Sequence, residues 1–229
     1  MFRSPRRQGV VILVNATSPA TTAASPPVLA ARGLRQAVGE RVLFRDVSFA
    51  LAEGEVLAVC GPSGAGKTLF LRLVGQLDPL AGGELDCDGR AVGLWTGPTW
   101  RAQVSTLLQG APALPGSPRE LAEAVADLQE QRERISDSPL ELAAEWGLPK
   151  TAWDRPWSEL SLGERQRAQL AVVLARRPRV MLLDEPTSAL DPAATAAVEH
   201  SLRGHTAVWV THDRAQAERV ATATLELGA

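Results

Sequence analysis

Residues 55–68 read EVLAVCGPSGAGKT, and three kinds of local structure are written into them. Glu55 to Cys60 is a short, almost wholly apolar run, as expected of a strand buried on both faces. A glycine-rich loop follows, Gly61 to Gly66. Its glycines let the backbone turn tightly, so that consecutive N–H groups point into one hollow. Lys67 to Leu77 then reads as a helix, with Leu69, Leu71, Leu73 and Leu77 among its apolar positions. The positive end of that helix faces the same hollow. The order strand, glycine loop, helix makes a cradle shaped for phosphate.

Working outward, order is expected to begin near Val28. Gly39-Glu40 reads as a hairpin turn before a strand at Val42 to Leu51, and Ala52-Glu53-Gly54 as a second turn. Residues 84–88 and 103–109 look like further strands, and Pro112 to Pro118 like a proline-rich turn. Arg119 to Ile135 is charged and helix-forming, with Leu121, Val125 and Leu128 on one face, and Leu140 to Trp146 reads as another helix. Together they indicate a helical lobe inserted at about 110–160. Helix and strand then alternate: Gly163 to Arg177 is a helix stopped by Pro178, Val180 to Leu183 a buried strand, and Pro192 to Leu202 a helix. Ala207 to Thr211 is a strand, Arg214 to Ala221 a helix, and Thr224 to Leu227 a last strand. The fold class expected is α/β: a mostly parallel sheet with helices on both faces, an N-terminal antiparallel β region and the inserted helical subdomain.

The bulk properties narrow the function classes. With 229 residues, 45% hydrophobic and 22% charged, the chain can bury a sizeable core without disulfide or metal staples. A net charge of -2 and a pI near 6.0 argue against nucleic acid as a partner held by general electrostatic attraction. Cys60 and Cys87 lack the Cys-x-x-Cys spacing of a zinc site and read as reduced thiols. No stretch reaches the roughly 18 consecutive apolar residues that span a bilayer, so a membrane process would need another chain. Arg3, Arg6 and Arg7 precede the apolar Val10 to Val14, a pattern with the order of a secretory signal but an apolar part below the usual length. Residues 1–27 are read as a disordered tail or a misplaced start, ahead of targeting. Asn15-Ala16-Thr17 fits a glycosylation triplet with no meaning inside the cell.

Gly61-Pro62-Ser63-Gly64-Ala65-Gly66-Lys67-Thr68 matches the nucleotide-binding pattern G-x-x-x-x-G-K-[ST] in full. Lys67 would bring its charge to the β- and γ-phosphates of ATP, and the Thr68 hydroxyl is placed to ligate Mg²⁺. Val180-Met181-Leu182-Leu183 runs into Asp184-Glu185, two carboxylates at the strand end where parallel sheets bind ligands. Asp184 would hold Mg²⁺ through water, and Glu185 would act as general base on the attacking water. These elements fit many P-loop NTPases. Leu160-Ser161-Leu162-Gly163-Glu164 narrows the choice, because it resembles the ABC signature Leu-Ser-Gly-Gly-Gln. Without that family, Ser161 is an N-cap that forms a capping box with Glu164, and both readings are compatible.

The chain is thus similar to ABC transporter ATP-binding subunits over roughly residues 28–229. The resemblance implies that Ser161 and Gly163 bind the γ-phosphate held by an opposite copy. It implies that Gln109 contacts Mg²⁺ and water, that Ser188-Ala189-Leu190-Asp191 crosses a dimer interface, and that His212 contacts the γ-phosphate. It further implies an ATP-sandwich dimer attached to a separate transmembrane permease at the cytoplasmic face of the membrane. Two departures stand out. Leu162 and Glu164 replace the usual Gly and Gln, the latter placing a negative charge near a triphosphate. Val38 stands where an aromatic residue often stacks on adenine, which implies weak stacking and modest discrimination between ATP and GTP. Trp146, Trp153 and Trp157 are open to two readings, anchors for the permease or core of the helical lobe. Around Gln103 to Pro115 and Ala207 to Asp213 the wording is similar to the ATP-binding subunit of a bacterial two-component iron exporter. A small-solute importer ATPase is the runner-up within the class. A soluble ABC ATPase of DNA repair or translation is disfavoured by the missing coiled-coil insertion, and a P-loop small-molecule kinase would leave the 160–164 motif and His212 without a role.

Overall fold

The computed structural model describes residues 26–39, 41–110, 115–130 and 137–228. The expectations for residues 1–25, for Glu40, for 112–114 and for 131–135 lie outside the described residues. In chain order come β1 (Leu29–Val38), β2 (Arg41–Leu51), β3 (Val56–Cys60), α1 (Lys67–Val74), β4 (Gly82–Cys87) and β5 (Arg90–Ala91). Then follow α2 (Gly97–Gln103), β6 (Val104–Leu107), α3 (Pro118–Ala126), α4 (Pro139–Glu145) and α5 (Leu162–Ala175). The chain closes with β7 (Val180–Asp184), α6 (Pro192–Ser201), β8 (Ala207–Val210), α7 (Arg214–Val220) and β9 (Ala223–Glu226).

Two sheets result. One is antiparallel, in the order β2-β1-β4-β5; the other is parallel, in the order β6-β7-β8-β3-β9. Every residue of β3, β7 and β8 is buried, which is why their sequences are continuous apolar runs rather than alternations. The pleat sorts them between two cores. Val180 and Leu182 face α1 and the antiparallel sheet, with Phe44, Phe49 and Phe70, while Met181 and Leu183 face α5 and the helical segment.

That second core corrects one of the open readings. Trp146, Trp153 and Trp157 are 2%, 0% and 5% exposed and pack with Trp209 of β8. They anchor the helical segment to the sheet and are not a face for a partner. Truncating one to Ala costs roughly 3–5 kcal/mol by typical core values.

Several element ends differ from the sequence reading for local reasons. α1 stops at Val74 rather than Leu77 because Gly75 ends it and Gln76 turns left-handed at φ 54°. α3 stops at Ala126, so Leu128 is not on its inner face and is exposed. α2 was not anticipated. Thr96 and Thr99 cap it reciprocally, Pro98 sits in its first turn, and its buried Trp100 donates Nε1–H to the Val74 carbonyl at 3.0 Å.

Candidate functional site

The register of the parallel sheet assembles the site. Val59 and Asp184 both pair with Val210, and Leu107 pairs with Leu183, so β3, β8, β7 and β6 end at one edge. The next residues on each strand are the predicted ones: the Gly61 loop, His212, Glu185 and Gln109. They line one open cleft of about 530 Å³, together with Pro62, Ser63, Gly64, Gly66, Lys67, Thr68 and Asp184.

At the start of α1, Gly66 is left-handed at φ 95° and no side chain caps the helix. Every other described α-helix has a side-chain cap: Thr96, Ser117, Ser138, Ser161, Asp191 and Asp213. The first-turn N–H groups of α1 are therefore left for an anion. Lys67 Nζ is held over the loop by the carbonyls of Gly61 and Pro62, at 2.8 and 3.0 Å. Ala65 differs from its neighbours: its methyl group is in the core and its N–H bonds Pro62, so it shapes the loop and does not line the cleft.

Thr68 Oγ1 donates to Asp184 Oδ2 at 2.7 Å. Burial pushes the Asp184 carboxyl up from the usual carboxylate range, and the Thr68 hydroxyl and the Gln109 N–H partly offset this. Hydroxyl, carboxylate and the nearby Gln109 amide form a hard oxygen donor set that fits Mg²⁺. Glu185 has a left-handed backbone at φ 48°, rare for a residue with a side chain and a form of strain found at functional sites. Its carboxylate lies between two partners. His212 Nδ1 is 3.0 Å from Oε1, and Gln109 Nε2 is 3.4 Å from Oε2.

The remaining predicted residues lie elsewhere. Val38 is exposed at the end of β1. Ser161, Gly163, Glu164 and Asp191 do not line the cleft. Ser161 and Glu164 form the expected capping box: Glu164 Oε2 accepts the Ser161 N–H at 2.8 Å, and Ser161 Oγ accepts the Glu164 N–H at 3.3 Å. Glu164 Oε1 accepts from Arg155 at 3.3 Å. The Ser161 backbone N–H is the main reason that the Glu164 carboxyl titrates below its ordinary range. Asp191 caps α6 through the Ala194 N–H at 2.9 Å.

Two polar groups escaped sequence reading. Gln166 bonds the Glu185 carbonyl and the Ala189 N–H. Gln216 of α7 is buried behind His212, where it accepts from Thr211 Oγ1 and donates to Thr187 and Glu199. Each is one glutamine on a helix whose partners lie mostly far away in sequence, 19 and 23 residues for Gln166 and 29 and 17 for Thr187 and Glu199 of Gln216, with only Thr211 close by, so no spacing rule marks it.

The geometry has clear relatives. The ABC transporter family model matches residues 44–188. The chain is 35% identical over 185 residues to YjkB of Bacillus subtilis, by name an ABC transporter ATP-binding protein, covering 78% of this chain and 73% of that one. It is 36% identical to the Fe(3+) ions import ATP-binding protein FbpC of Streptomyces coelicolor, over 84% of this chain but only 57% of FbpC. Among solved structures, a dimeric ATP-binding cassette in a post-hydrolysis state with ADP and Pi bound matches with a TM-score of 0.75 and 25% identity, covering 87% of this chain and 94% of that one. With the family model matched over more than half of the chain and a relative 35% identical over most of both chains, the chain belongs to the ABC transporter family as an ATP-binding, ATP-hydrolysing subunit.

Proposed function

We propose that two copies of this chain enclose two ATP molecules, each held between the Gly61–Thr68 loop of one copy and the Ser161–Glu164 turn of the other. Closing on ATP and reopening after hydrolysis would move a separate transmembrane permease at the cytoplasmic face of the membrane. No described helix is long and apolar enough to cross a membrane. The observation that carries the reading is the Glu185 carboxylate, which lies in the cleft beside Lys67 and Thr68 and is flanked by His212 and Gln109.

In this scheme the uncapped first turn of α1 and Lys67 hold the β- and γ-phosphates. Glu185 takes the proton of the attacking water, and Gln109 and His212 orient that water and the γ-phosphate. Thr68, Asp184 and Gln109 would hold Mg²⁺, which supplies charge neutralisation on the phosphates. Val38 offers adenine an aliphatic surface without stacking, which supports similar use of ATP and GTP. For cargo, the resemblance around Gln103–Pro115 and Ala207–Asp213 supports export of iron or another metal ion, selected by the permease.

The test is ATP hydrolysis by wild type and Glu185→Gln, each sized by chromatography in ATP and Mg²⁺. A general base contributes about 10²–10⁴-fold. The expected result is a loss of that size with an ATP-dependent dimer. Normal turnover by the variant would remove Glu185 as base, and no ATP-dependent dimer in either protein would remove the sandwich.

A further inference from the structure

α5 touches the base of the site as well as carrying the Ser161 turn. Gln166, one turn in, spans two points of the chain after β7. Its Nε2 donates to the Glu185 carbonyl at 2.7 Å, and its Oε1 accepts the Ala189 N–H at 3.0 Å. Three residues earlier on the same face, Gly163 leaves room for the Ala189 carbonyl, which would lie 2.7 Å from any Cβ placed there. The segment from Glu185 to Ala189 is thus seated on the first turns of α5 by two hydrogen bonds and one close backbone approach.

This seating matters because the Glu185 backbone is left-handed. A strained conformation persists where its surroundings over-determine it. Glu185 is held from both sides: its N–H donates to the Val210 carbonyl of β8 at 3.0 Å, and its carbonyl accepts from Gln166. The same carbonyl also accepts the Ser188 N–H of its own turn at 3.2 Å, so Gln166 supplies the one bond that ties this turn to α5 through Glu185, and its loss would loosen the turn that aims the carboxylate at His212 and Gln109.

We propose that Gln166 is a positioning residue for ATP hydrolysis, fixing the Glu185 carboxylate from the helix whose N-terminus would meet the nucleotide of the opposite copy. The inference rests on the sandwich reading above, in which Glu185 is the base. Gln166 does not line the cleft that holds Lys67, Thr68 and Glu185. It acts through the Glu185 backbone, and its loss affects the chemical step rather than ATP binding.

Gln166→Met keeps length and bulk and removes both bonds; Gln166→Glu keeps the acceptor for Ala189 and removes the donor to Glu185. The full chain with each substitution is assayed for ATP turnover against ATP concentration, beside wild type and Glu185→Gln, with thermal unfolding of all four. The expected result for both Gln166 variants is a kcat lower by about tenfold, equivalent to about 1.4 kcal/mol on the barrier, with KM within twofold of wild type. If Gln166→Met loses more than a few degrees of Tm, Gln166→Glu decides by the same split. A kcat within twofold of wild type, or a KM that rises in step with the loss of kcat, overturns the proposal. If Glu185→Gln is inactive while the Gln166 variants turn over normally, the positioning role alone fails. If Glu185→Gln hydrolyses ATP normally, Glu185 is not the base and this inference fails with that assignment.

Discussion

Restoring the residue usual in the family, Glu164→Gln, should destabilise this chain. Glu164 has two jobs in the structure. Oε2 accepts the Ser161 N–H at 2.8 Å, a charge-assisted bond at a helix N-terminus, and Oε1 is 3.3 Å from Arg155, with the two side chains 19% and 41% exposed. Gln keeps the first bond in neutral form and loses the ion pair. A hydrogen bond to a charged group contributes about 1.5–3 kcal/mol against about 1 for a neutral one, and an exposed ion pair contributes about 0.2–1. Because these terms overlap with the helix dipole, about 1.5 kcal/mol in total is a reasonable figure. For a chain of this size that is a Tm loss of about 3–6 °C.

The pH dependence gives the sharper check. The folded pKa of Glu164 lies below its ordinary value, chiefly through the Ser161 N–H. Its stabilising share is therefore present above the unfolded pKa, about 4.3, and is lost as pH falls through the lower folded value. Thermal unfolding should show the full gap between wild type and Glu164→Gln at pH 7 and a closing gap below about pH 4. A variant as stable as wild type at pH 7, or a gap that persists in acid, would show that Glu164 is not held as the geometry implies. It would leave the carboxylate free to act on a triphosphate instead.

Two further predictions concern the packing behind the site. Gly75→Ala should cost about 1–3 kcal/mol, since its Cβ would lie 2.3 Å from Thr106 Oγ1. That oxygen is buried with no hydrogen-bond partner among the described residues, so adding Thr106→Ala should recover most of the loss, and denaturant midpoints of the four proteins measure the coupling. Gln216→Leu should cost about 3–5 kcal/mol by leaving Thr187, Thr211 and Glu199 short of a partner; a Tm within 3 °C of wild type would refute the network.

The sheet edge was legible because its physics is local. β3, β7 and β8 are buried on both faces, so they need apolar runs, and the residues that follow them line the cleft. β1 was not legible. Its sequence LAARGLRQAV holds few β-formers, and its pairing to β2 and β4 shifts register around Gly33, so no alternation survives. α2 was hidden because Gly97-Pro98 reads as a breaker unless Thr96 and Thr99 are recognised as its cap. The tryptophans of the helical segment were ambiguous for another reason: large aromatics serve cores and interfaces equally well, and only their burial against Trp209 separates the two. Gln166 is the extreme case. Its partners are a backbone carbonyl 19 residues away and a backbone N–H 23 residues away, and backbone groups leave no mark in a sequence.

The two helix N-termini proposed to bind phosphate are built differently, and the difference follows from how each would meet its ligand. α1 starts at a glycine with no side-chain acceptor, so its first-turn N–H groups belong to whatever anion fills the loop of its own chain. α5 would meet phosphate only when a second copy arrives, and must keep its shape between encounters. Ser161 and Glu164 close it reciprocally, and Arg155 holds the carboxylate back. The cap does not compete with phosphate binding. A serine hydroxyl has one hydrogen and two lone pairs, and the capping bond uses a single lone pair. The Ser161 hydrogen remains available to donate across an interface while its oxygen holds the helix, and one residue can serve stability and recognition together.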